Sequence, residues 1–131
     1  MPVDIQQIPG EPIIQVRMTG HITATDIETI FRECARLTEG VEHKIYRITD
    51  ITEAEISLTE IMVIANVVRA DVAASSTDPR FVPIFVGNAK TSRLYTDILR
   101  KQAFNGEGLP FFNSMDAALN HVREDRAVST A

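Results

Sequence analysis

His43-Lys-Ile-Tyr-Arg-Ile-Thr-Asp50, continued by Ile51-Thr-Glu-Ala-Glu-Ile-Ser57-Leu-Thr-Glu60, passes from an apolar strand through a polar connection into a helix. The alternation around Ile45 and Ile48 predicts a strand that stops at Asp50. Thr52, Glu53 and Glu55 then read as an acidic loop. Ser57 with Glu60 three residues later is a capping-box spacing, in which the two side chains satisfy backbone N–H groups at a helix start. Ligands and regulatory groups of open α/β sheets gather where strand ends face helix N-termini. This junction is therefore the first place to look for function.

Working outward, Ile5–Ile8 and Ile13–Met18 read as two strands separated by the turn signal Pro9-Gly10-Glu11-Pro12. A helix follows over about Thr25 to Thr38, with Ile27, Ile30, Phe31, Cys34 and Leu37 on one face. Thr25 and Glu28 fit a second capping box, and Gly40 supplies the stop. The helix opened by Ser57 is expected from Leu58 to about Ala74. Ser75 to Pro79 is a loop by composition. Phe81–Val86 reads as a strand, Thr91–Gln102 as a helix, Leu109–Phe112 as a strand, and a last helix is capped by Ser114. The order β-β-α-β-α-β-α-β-α predicts an α/β fold: one layer of mostly parallel strands, opened by an antiparallel hairpin and covered by helices. Residues 1–124 are expected to form one domain, with 125–131 a frayed tail.

At 131 residues, 44% apolar and 24% charged, the chain has the composition of an ordinary globular domain. Its net charge of −5, with Lys and Arg scattered, argues against nucleic acid, which needs a basic stripe. The single cysteine, Cys34, excludes an internal disulfide and a multi-thiolate metal site; on the apolar stripe of its helix it reads as a small buried hydrophobe. The start Met-Pro-Val-Asp-Ile has no secretory pattern, and Ile61–Val68 is too short to span a bilayer. A soluble, cytoplasmic setting with no cofactor is the resulting expectation.

Met18-Thr19-Gly20 before the first helix, Ile48-Thr49-Asp50 at the middle strand and Phe85-Val86-Gly87-Asn88 after the next strand carry a family resemblance. With the element order, they resemble a STAS-type domain, the SpoIIAA-like fold of anti-sigma-factor antagonists and sulphate-transporter tails, over about residues 5–124. The chain is also similar to small bacterial proteins near STAS and Sec14-type lipid-binding domains. The first resemblance implies a non-enzymatic regulatory module with a protein partner. In antagonist members an Asp-Ser-(Ser/Thr)-Gly motif after the middle strand places a phosphorylatable hydroxyl at a helix start. The corresponding residues here are Asp50-Ile51-Thr52-Glu53, with neither the hydroxyl pair nor the glycine.

Each candidate residue has a plain structural alternative. Ser57 is a phosphoacceptor at a helix N-terminus or simply its N-cap. Thr52 is the nearer positional match to the family site but lies among carboxylates. Asp50 with Glu53 and Glu55 offers oxygen ligands to a hard cation, or Asp50 closes an Asx turn. Asn88, Lys90 and Arg93 form a candidate anion site at the start of the Thr91 helix. His21, His43 and His121 show no paired spacing, and nothing supplies a nucleophile, base and oxyanion site together. In the Ser57 helix, Leu58, Ile61, Met62, Ala65, Val68 and Val72 make a sheet-facing stripe that Val63, Ile64 and Val67 widen. Surplus apolar surface of this kind suits a partner or a homodimer, which Val67→Glu would disrupt. A second hypothesis is a small apolar or lipid-like ligand, walled by Met62, Phe81 and Phe85.

Overall fold

A computed structural model describes residues 2–68, 74, 78–88 and 111–130. Strands β1 (Val3–Gln7), β2 (Ile13–His21), β3 (Ile45–Glu55), β4 (Phe81–Val86) and β5 (Phe111–Phe112) form one sheet in the order β1-β2-β3-β4-β5. β1 and β2 are antiparallel, and the remaining pairs are parallel. The hairpin closes because Gly10 takes φ +79°, which a residue with a Cβ adopts only under strain, and the Ile8 N–H donates to Ile13 O at 3.0 Å.

Helices α1 (Ala24–Leu37) and α2 (Leu58–Val68) connect β2 to β3 and β3 to β4. The strand order advances in one direction, so two right-handed crossovers leave both helices on the same face of the sheet. There Ile14, Val16, Met18, Ile45 and Ile51 pack against Ile27, Phe31, Cys34, Ile61 and Ile64. α3 (Met115–Thr130) crosses the other face, with Ala118 and Val122 against Ile13, Tyr46, Ile48, Ile84 and Val86. β3 lies between these two layers, and Ile45 through Thr49 are all buried. A strand covered on both faces loses the alternation of a half-exposed one. Each isoleucine buried in these layers contributes roughly 1.5–3 kcal/mol.

Several expectations change in detail. The reciprocal cap of α1 is Thr23 with Asp26, not Thr25 with Glu28: the Asp26 carboxylate accepts the Thr23 N–H at 2.8 Å, and the helix starts one residue earlier. β3 does not stop at Asp50 but runs on to Glu55, so the expected acidic loop is strand. The expected frayed tail is helix to Thr130. Its last turns are tied down by side chains of distant segments: Tyr46 donates to Asp125, while Arg123 and Arg126 each reach Glu11 at 3.1 Å. The helix expected over Thr91–Gln102 lies outside the described residues, as do 69–73 of the expected second helix and Leu109–Pro110 of the last strand.

Candidate functional site

β4 ends at Val86, opposite Asp50, whereas β3 continues for five residues paired only with β2. The end of β3 therefore projects beyond β4 as a two-stranded parallel ribbon with β2. Its register is irregular. Arg17 pairs with Asp50 but Thr19 with Glu53, so one residue of β2 faces two of β3, and Ile51–Thr52 form a bulge. The extra residue reverses the facing of everything after it. Ala54 turns in to the α1–α2 core, and Glu53 and Glu55 are exposed beside Thr19 and His21, their neighbours on β2.

Asp50 sits where the bulge begins. Its Oδ1 accepts the Thr52 N–H at 2.9 Å, an Asx turn, and its Oδ2 is 4.0 Å from Nε of Arg17. Arg17, Met18, Asp50, Thr52 and Glu53 line a cleft of about 220 Å³. The Thr52 side chain is exposed, and the charge beside it is mixed rather than purely acidic because Arg17 reaches in. Arg17 had no distinguishing sequence signal; only the parallel register of β2 on β3 brings it to Asp50. Among the described residues, no group of three or more His, Cys, Asp or Glu side chains is placed to hold a metal ion.

Ser57 is occupied. Its Oγ accepts the Glu60 N–H at 3.1 Å, the N-cap bond of α2. Beyond this cap, α2 divides its apolar residues differently from the expected stripe. Ile61, Ile64 and Ala65 are buried, and Val67 is half-buried against the same core. Met62 was expected on the sheet-facing side, yet it points outward: Met62 and Val63 are each 47% exposed, the two exposed large apolar residues among those described. The 100° step per residue explains this, since 61, 64 and 65 share a face that 62 and 63 leave. Val67→Glu would thus damage the core, and Val63→Glu is the cleaner probe of a surface contact.

The candidate residues consequently fall on two sides. Asp50 and Glu53 share a sheet face with Arg17, and Met62 and Val63 lie on the helix covering the opposite face. They meet only through Ile56 and Ser57, which join the ribbon to α2. Met62, Phe81 and Phe85, the walls expected of an apolar pocket, do not line this cleft. Phe81 instead packs between the guanidinium groups of Arg47 and Arg80, at 4.8 and 5.5 Å from its ring centre. Of the expected anion site, Asn88 is exposed after β4, and Lys90 and Arg93 lie outside the described residues. His21 and His43 are exposed, and His121 stacks on Phe112 at 5.0 Å.

The arrangement supplies exposed apolar surface, a polar ribbon and a small cleft. A doubly wound sheet forms its ligand crevice where strand order reverses, and the order here does not reverse. Solved structures share this architecture. One is a DUF3478-family protein with a SpoIIAA-like fold from Shewanella loihica PV-4, with a TM-score of 0.60 and 17% identity over 90% of both chains. The fold is SpoIIAA-like. An anti-sigma factor antagonist from Mycobacterium paratuberculosis superposes on the same SpoIIAA-like fold with a TM-score of 0.53 and 15% identity over 92% of both chains. No protein-family model matches the chain, and no curated protein matches its sequence. No helix among the described residues is long and apolar enough to cross a membrane.

Proposed function

We propose that this protein is a non-catalytic regulatory module that works by binding another protein through the outer face of α2 and the adjoining end of β3. The observation that carries this reading is the exposed pair Met62–Val63, on a helix whose first turn follows directly from the projecting ribbon. Adjacent exposed apolar side chains, where the other large apolar side chains among the described residues are covered, mark a contact surface. The likeness of the fold to an anti-sigma factor antagonist supports the same class of function. Thr52 is the residue through which such a contact would be regulated. Its hydroxyl is exposed beside Arg17, whereas Ser57 already serves as a cap.

Size-exclusion chromatography of native extracts from the source cells tests this. The wild-type chain is expected to elute in a complex larger than the purified 14.6 kDa protein. Met62→Glu with Val63→Glu is expected to return it to the elution volume of the purified protein. Identical elution of wild type and double variant would exclude α2 as the contact.

A further inference from the structure

At the opposite end of the sheet, an open groove of about 790 Å³ lies between the β1–β2 turn and the start of β3. Its size falls within the range of small-molecule sites. Pro9, Pro12, Val41 and Tyr46 give it apolar walls. Several of its hydrogen-bond acceptors are already engaged. Arg80 Nη1 donates to Thr38 O at 3.0 Å and to Val41 O at 2.7 Å, and Tyr46 N–H donates to Pro12 O at 2.8 Å. The Glu11 carboxylate accepts from both Arg123 and Arg126. Lys44 O lies 3.0 Å from Nδ1 of His43.

Charge points the same way. The lining holds one carboxylate, Glu11, which is paired with Arg126, and Lys44 adds a further cation, in a chain whose net charge is −5. Lys44 is exposed, with Nζ 5.7 Å from the centre of the Tyr46 ring, so its ammonium stands over an apolar floor. The Tyr46 ring is held in place by its hydroxyl bond to Asp125. A ligand entering here meets apolar walls, several acceptors that are already engaged, and a cation at the rim. We propose that this groove binds a small amphiphilic anion, an apolar body carrying a single carboxylate or similar group that Lys44 receives.

Octanoate and octanol share the apolar chain and differ in the head group, so they serve as probes in amide-shift titrations of the ¹⁵N-labelled protein. Octanoate is expected to cause saturable shifts at Gly10, Val41 and Lys44 and to bind at least ten-fold more tightly than octanol. Lys44→Glu, at an exposed position where folding is unaffected, is expected to weaken octanoate at least ten-fold and leave octanol unchanged. Equal affinities for the two probes, indifference to Lys44→Glu, or octanoate shifts confined to Met62 and Val63 would each overturn the proposal. The α2 contact surface stands or falls separately, because Met62→Glu with Val63→Glu leaves this groove intact.

Discussion

The guanidinium of Arg47 lies 4.8 Å from the ring centre of Phe81 and 5.0 Å from that of Phe31, wedged between the two inside the α1–α2 core. It donates to Ala74 O, and the buried Cys34 thiol lies beside it. Burial raises the thiol pKa, which the Arg47 charge partly opposes, so Cys34 stays a thiol. Burial also lowers the pKa of Arg47, although the group remains a cation. Arg47→Ala leaves a cavity and an unpaired carbonyl, and is expected to cost about 3 kcal/mol in urea unfolding. Arg47→Met keeps most of the volume, and its cost should be roughly half that. Equal stability of wild type and Arg47→Ala would show that the ring sandwich contributes nothing.

Asp78 should govern the acid limb of stability. Hydrogen bonds from Arg80 hold its carboxyl far below the usual Asp value, helped by the Ala74 and Arg80 N–H groups. The unfolded chain binds this proton first as pH falls. The stabilisation is therefore fully present above about pH 4 and is lost progressively below it. Asp78→Asn is expected to cost roughly 2 kcal/mol at neutral pH and to flatten the decline below pH 4. Thermal melts between pH 2 and 7 would show it.

Tyr46 governs the alkaline side. Burial, and then the bond to Asp125, push its pKa up to about 12. A raised folded pKa gives stability that is complete below the ordinary tyrosine value of about 10 and is lost as pH rises toward 12. Ultraviolet titration should show a late-ionising phenol that Tyr46→Phe removes, leaving only the signal of Tyr95.

Ser57 allows its two alternatives to be separated by stability alone. As an N-cap, Ser57→Ala should lose about 1 kcal/mol while Ser57→Asp, an equally good cap, loses almost nothing. If Ser57→Asp instead destabilises as much as Ser57→Ala, capping is not what the hydroxyl does.

The elements that were legible in sequence are those whose signals are local. The turn at Gly10, the run Phe81–Val86 and the caps at Ser57 and Ser114 depend on neighbours within four residues, and each stands where expected. Features set by partners distant in the chain were not legible. Arg47 reads as a polar interruption of a strand until Phe31 and Phe81 close on it, and Arg17 reads as surface until β2 aligns on β3. Met62 and Ile64 exchanged roles because α2 is apolar nearly all round, so its pattern alone does not select the buried face. Asp125 and Arg126 look like a polar tail until Tyr46 and Glu11 supply their anchors.

The bulge at Ile51–Thr52 makes the place of a length change, more than residue identity, the critical property of this segment. Deleting Thr52 would restore even pairing with β2 and leave Glu53, Ala54 and Glu55 opposite their present neighbours, with Ala54 still turned in to α1 and α2. Deleting Ala54 would instead put Glu55 in its place under the two helices. Point substitutions at Thr52 and Glu53 are tolerable on an exposed surface. Homologues that share this ribbon should therefore vary freely in composition at these two positions and lose a residue only at the bulge.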